Sequence, residues 1–260
     1  MEIEFYKYQG TGNDFVILEN RDQKYDSLTT EQISHICNRR FGVGADGLML
    51  LSNHSKLDFE MFYFNADGNR GSMCGTGARC IVKFAKHQGM YKDTYKFMAT
   101  DGAHEADIDM QNYVRIKMQD VNKVEYHSGH TILNTGSPHF VKMANNVINI
   151  NVVETGGDIR YSNLFKKEGI NVNFVETINE DAIFVRTYER GVENETLSCG
   201  TGVTAAALVN AHNKIGFNRV KVKTSGGNLS VEYTKIDNQH FENIWLCGIA
   251  ELVYKGIIII

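Results

Sequence analysis

The chain has 260 residues, 42% of them apolar and 22% charged, and 27 Lys and Arg against 31 Asp and Glu leave a formal net charge of -4. The length allows two domains with cores of their own, and the lack of a basic run argues against nucleic acid as a partner. No apolar run approaches the roughly 20 residues of a membrane span, and "MEIEFYKYQG" has neither the basic start nor the apolar stretch of a signal peptide, so no membrane is expected and the expected compartment is the cytoplasm.

In chain order, "IEFYKYQ" and "FVILEN" are predicted strands. "TTEQISHICNRR" is a predicted helix, with Thr29 and Gln32 at the spacing of a capping box. "LDFEMFYF" is a predicted strand that delivers the chain to "NADGNRGSMCG". After Cys74, Ala78, Ile81, Val82 and Ala85 fall at helical spacing, and after Cys199, Val203, Ala206 and Ala207 do the same. Alternating segments around Gly102 and Gly227 predict antiparallel strands. The terminal "GIIII" predicts a last buried strand, a candidate to join the first domain.

The five cysteines are Cys37, Cys74, Cys80, Cys199 and Cys247. An odd count without a C-x-x-C pair argues against a disulfide framework and a structural zinc, so free thiols and no metal are expected. Cys37, Cys80 and Cys247 read as small apolar fillers. Cys74 and Cys199 differ: both open a Cys-Gly-Thr-Gly, and they stand 125 positions apart. The same offset carries Phe15 onto Phe140 and Gly102 onto Gly227. Three landmarks on one spacing mark two homologous halves, far too long for a solenoid repeat. The expected domains are 1–119, with 251–260 as its candidate extra strand, and 120–250.

Each Cys-Gly-Thr-Gly enters a predicted helix. Helix N-termini carry N–H groups without internal partners and a positive dipole end, which suits a carboxylate ligand and favours thiolate over thiol. Two such ends across one cleft would hold a carboxylate with a thiol on either face of the neighbouring carbon. One thiolate removes a proton and the other thiol returns one to the opposite face, which is racemisation or epimerisation.

The motifs "GTGNDFV", "FNADGNRGSMCGTGARC", "GSPHFV", "YERGVENETLSCGTG" and "TSGGNLSVEY" resemble those of the diaminopimelate epimerase family, in its order and over nearly the whole chain. The resemblance implies two similar α+β domains, each wrapping mixed or antiparallel strands around a central helix, with the active site in the cleft between them. It implies an isomerase without a cofactor that interconverts LL- and meso-diaminopimelate on the route to lysine and peptidoglycan. The implied partner is a small amino-acid substrate, and a homodimer is left open. By the same resemblance Cys199 accepts the proton of the LL isomer and Cys74 donates one. Asn13, Asn65 and Asn171 match substrate-binding asparagines, and Glu189 and Arg190 match the pair that grips the distal ammonium and carboxylate. Gly75, Thr76, Gly200 and Thr201 match the backbone cradles. His139 and Glu189 match residues that tune the thiol pKa values.

Three positions depart from the family pattern: Gly47 where glutamine is common, Ser137 where asparagine is common, and Thr76-Gly77 where Asn-Gly is common. Gly47 offers no side chain, so its substrate contact is in doubt, and Gly47→Gln is expected to tighten binding or leave it unchanged. The nearest rival is a proline racemase or hydroxyproline epimerase, which typically carries Asp-Arg-Ser-Pro-Cys where this chain has "ETLSC". A thiol-redox or pure amino-acid-binding protein is the rival of another class, and no closely spaced dithiol supports the first.

Overall fold

The computed structural model describes every residue except 72, 112 and 210–213. The chain divides into two compact units, Met1–Ile116 with Gly248–Ile260, and Lys117–Cys247. The first unit runs β1 (Glu2–Gly10), β2 (Asn13–Glu19), α1 (Thr30–Cys37), β3 (Gly47–Ser52), β4 (Phe59–Asn65), α2 (Gly75–His87), β5 (Thr94–Ala99), β6 (Gly102–Ile108) and β7 (Tyr113–Lys117). The second runs β8 (Val124–His127), β9 (His130–Asn134), β10 (Pro138–Met143), α3 (Val152–Arg160), β11 (Asn171–Asn179), β12 (Ala182–Glu189), β13 (Asn194–Thr196), α4 (Gly200–Leu208), β14 (Gly216–Thr224), β15 (Gly227–Lys235) and β16 (Phe241–Ile249). A last strand, β17 (Glu251–Ile259), lies antiparallel to β1 in the first unit.

The two units repeat one pattern of pairings. β1 and β2 are antiparallel, β2 and β3 parallel, β3 and β4 antiparallel, β4 and β5 parallel, and β5 and β6 antiparallel. In the second unit β9–β10, β10–β11, β11–β12, β12–β14 and β14–β15 follow the same alternation. The expected offset reappears in the elements: α2 starts at Gly75 and α4 at Gly200, β6 at Gly102 and β15 at Gly227. Gly102 and Gly227 have φ of 129° and 143°, the region where a side chain is strained and glycine is not.

Each unit is built around its long-motif helix. α2 buries all but Lys83, Lys86 and His87, including the predicted Ala78, Ile81, Val82 and Ala85. α4 is buried from Gly202 to Leu208, and Tyr233 of β15 donates its hydroxyl to the Ala207 carbonyl (3.1 Å). A helix apolar on all sides needs a sheet wrapped around it. α1 is instead amphipathic, with Ile33, Ile36 and Cys37 inward. Its capping box is formed: Gln32 N–H donates to Thr29 Oγ1 (3.3 Å), and Thr29 N–H donates to Gln32 Oε1 (3.0 Å).

Two expectations differ from the structure. The division falls three residues ahead of the expected boundaries at 119 and 250. The backbone explains the first shift: Met118 N–H donates to Ile244 O (2.9 Å) and Val121 bridges to Phe241, so the chain has joined the second unit by residue 118. The terminal isoleucines are not a buried strand. Ile258 and Ile260 pack on the first unit's core, while Ile257 and Ile259 are 62% and 81% exposed. β17 has its core on one face only, so alternate residues face water. Among the described residues no helix is long and apolar enough to cross a membrane.

Candidate active site

Cys74 is the N-cap of α2 and Cys199 the N-cap of α4. Both have extended backbones, with φ and ψ of -110° and 123° at Cys74 and -115° and 113° at Cys199, and neither side chain bonds the helix backbone. The two thiols therefore stand at equivalent helix mouths without capping them. Gly75, Thr76 and Gly200, Thr201 form the first turns behind them. None of the five cysteines, all of which are described, is disulfide-bonded, and Cys37, Cys80 and Cys247 are buried. Burial pushes the Cys37 and Cys80 thiols up to about 12, so both stay protonated at neutral pH. Among the described residues no group of His, Cys, Asp and Glu is arranged to hold a metal ion.

In the first unit Cys74 Sγ lies 3.9 Å from Asn13 Oδ1. Asn13 Nδ2 donates to Asp46 Oδ2 (2.8 Å), which turns the amide oxygen toward the thiol. Asp46 is held in turn by Arg39 (2.8 Å), which also pairs with Asp14, and Asp14 pairs with Lys7 (2.7 Å). Burial alone would raise the Asp14 carboxyl, but the bonds and charges of Arg39 and Lys7 outweigh it and hold it below the usual carboxylate range. Asn65 ends β4, exposed, directly across from Gly47 on β3. Gly68, at φ 87°, closes the turn beyond it by donating to Asn65 O (2.9 Å).

In the second unit hydrogen-bond counting fixes a directed chain. Asn173 Nδ2 donates to the Phe140 carbonyl (3.1 Å), which can only accept, so the amide orientation is set. The same Nδ2 donates to His139 Nδ1 (3.1 Å), leaving the ring proton on Nε2, which donates to Ser137 Oγ (3.0 Å). Asn171 Nδ2, oriented by the Pro138 carbonyl (3.0 Å), also donates to Ser137 Oγ (3.1 Å). Having accepted twice, Ser137 directs its O–H to Thr201 Oγ1 (3.1 Å), and the Thr201 O–H is left for Cys199 Sγ (3.5 Å). The second unit thus delivers a hydroxyl donor to its thiol, where the first presents an amide acceptor.

His139 is fully buried. Burial first, and the charge of Arg190 second, push its imidazole down to about 3. The ring is neutral at physiological pH and acts by hydrogen bonding rather than by charge. The unfolded chain takes up this proton near pH 6.5 and the native chain only near 3, so the unfolded state binds more protons in between. The contribution of neutral His139 is therefore complete above pH 6.5 and is lost as pH falls toward 3. The melting temperature is expected to drop between pH 6.5 and 4, and His139→Gln to flatten that drop in thermal scans.

Glu189 ends β12 and accepts from Thr196 Oγ1 (2.8 Å). Arg190 is exposed, its Nη1 donating to Glu168 O (3.1 Å) and its backbone N–H to Asn171 Oδ1 (2.9 Å). Asn171 is buried and its amide is engaged within the protein on both sides. Asp46, Asn173 and Thr187 were not among the expected site residues. Asn173 could have been found by strand alternation, since it shares a face with Asn171 two residues before it, while Asp46 is marked by no local signal beyond its place in "GADG".

The profile of the diaminopimelate epimerase family matches residues 5–124 and again 131–252. The diaminopimelate epimerase of Flavobacterium psychrophilum is 46% identical over 97% of this chain and 99% of its own length, and that of Aquifex aeolicus is 36% identical over 98% and 97%. Among solved structures, a Bacillus anthracis phenazine biosynthesis protein of the PhzF family superposes with a TM-score of 0.75 at 16% identity over the whole of both chains. A hydroxyproline epimerase from Agrobacterium vitis, with trans-4-hydroxy-L-proline bound, gives 0.67 at 14% identity over 99% of this chain and 92% of its own. The last two share the fold; with the match in both halves and the identity along the full length, the chain belongs to the diaminopimelate epimerase family.

Proposed function

We propose that the chain interconverts LL- and meso-diaminopimelate by a two-thiol acid/base reaction. The observation that carries the reading is the pair of equivalent N-cap cysteines, one in each unit of a chain from this family. The Cys199 thiolate takes the α-proton of the LL isomer, and the electron pair is held on the α-carbon and its carboxylate. The Cys74 thiol then gives its proton to the opposite face. The N–H groups of the first turns at Gly75–Thr76 and Gly200–Thr201 stabilise the negative charge on that carboxylate. The hydroxyl directed at Cys199 through His139, Ser137 and Thr201 favours its thiolate. Asn171 serves this reading by holding Ser137 and the backbone of Arg190. Asn13 and Asn65 contact the substrate beside Cys74, and Glu189 and Arg190 grip its distal ammonium and carboxylate.

The direct test is the rate of change of LL-diaminopimelate beside L-proline, followed by chiral chromatography with no cofactor added. Turnover of diaminopimelate alone supports the reading, and turnover of proline alone overturns it. Arg190→Lys is expected to raise KM for diaminopimelate about ten-fold, since a point charge replaces a two-pronged grip on the carboxylate. An unchanged KM would remove Arg190 from substrate binding.

A further inference from the structure

We propose that Tyr63 is a substrate-positioning residue beside Cys74, its phenol hydroxyl supplying the polar contact that position 47 lacks; the assignment rests on the diaminopimelate reading of the reaction. Strand alternation places Gly47 and Met49 on one face of β3 and Met61, Tyr63 and Asn65 on the matching face of β4. That face looks at the mouth of α2. A Cβ added at Gly77 would meet Met49 Sδ at 3.2 Å, Cys74 Cβ at 3.5 Å and Met61 Cε at 3.5 Å. Tyr63 stands two residues beyond Met61 and two short of Asn65.

The ring is clamped between two glycines. A Cβ at Gly71 would come within 2.5 Å of Tyr63 Cδ1 and Cε1, and a Cβ at Gly47 within 2.5 Å of Cε2 on the other edge and 2.9 Å of the hydroxyl oxygen. Any other residue at either position would displace the ring. Phe15 packs against it at 74° with centroids 6.1 Å apart. The ring is thus held by backbone on both edges, with the hydroxyl beside Gly47, which is the preorganisation a ligand contact needs. Tyr63 is only half-buried, so the ring is not sealed in the core.

The repeat supports the same reading. Gly47 opens β3 as Asn171 opens β11, and Asn65 ends β4 as Glu189 ends β12. By that correspondence Tyr63 matches Thr187, which donates to Asn173 Oδ1 (3.0 Å). The second unit fills the strand ends beneath its thiol with an amide and a hydroxyl. The first has no side chain at 47, and the phenol occupies that space.

A space filler needs the ring but not the hydroxyl, so Tyr63→Phe separates the two roles. With LL-diaminopimelate as substrate, the variant is expected to raise KM about ten-fold, the effect of one lost hydrogen bond to a charged or polar ligand group. Its kcat should stay within about two-fold, as for a contact made equally in ground and transition states. A wild-type KM, or a lower melting temperature with KM unchanged, overturns the assignment while leaving the reaction intact. Wild-type protein that leaves LL-diaminopimelate untouched overturns the reaction and Tyr63's role together.

Discussion

Cys199→Ala and Cys74→Ala are each expected to lower epimerisation by about a thousand-fold or more, because each removes the only group proposed to move a proton on its face. Neither thiol bonds its own helix backbone, so alanine costs no cap interaction and the helices should persist. Circular dichroism and melting should therefore match wild type, separating a chemical loss from an unfolding one. In D₂O the wild-type product should carry deuterium at the inverted carbon, while substrate recovered early carries almost none, because the thiol that removes the proton is not the one that delivers the replacement. Rapid early label in recovered substrate, or either variant working at near wild-type rate, would sink the two-thiol assignment.

Gly47→Gln should damage the protein, although glutamine is common there in the family. The new Cβ would lie 2.5 Å from the Phe64 carbonyl and 2.5 Å from the Tyr63 ring. This reverses the expectation, drawn from sequence, that restoring the glutamine would tighten binding or do nothing. Overpacking of this kind costs about 1–3 kcal/mol, which in a chain of this size lowers the melting temperature by a few degrees or more. Displacement of Tyr63 and of Asn65 across the strand pair should cut kcat/KM at least ten-fold. Adding Tyr63→Ala should recover part of the lost stability and not all, since the backbone carbonyl remains in the way, and should not recover the activity that Tyr63 supplies. A Gly47→Gln enzyme as stable and active as wild type would show that β3 and β4 separate there freely.

What could be read in the sequence was what is local or repeated. The α1 cap rests on residues three apart, the α2 and α4 faces on a 3.6-residue period, and the thiol pair on a motif written twice. What could not be read depends on which strand lies beside which. The chain from Asn173 through His139, Ser137 and Thr201 to Cys199 joins three elements or their flanks, and its direction follows from the bonds to two backbone carbonyls, Phe140 and Pro138, that only the strand pairing reveals. Gly47 was visible as a departure, but its complement Tyr63 lies on the neighbouring strand and became evident only from the register. Four consecutive isoleucines conceal the two-residue alternation by being identical, so exposure of Ile257 and Ile259 had no sequence signal.

The pairing of β1 with β17 bears on how the chain is made. Ile3 and Phe5 find their partners at Ile258 and Gly256, which follow the entire second unit. At about 5–20 residues per second, the nascent first unit waits some tens of seconds with one side of β1 unpaired. Lys117–Cys247 is one continuous stretch of chain that precedes β17, so the unit encoded second can finish folding before the first. During that interval the open edge is a template for a neighbouring nascent chain, and the contact of longest sequence separation sets the pace of maturation.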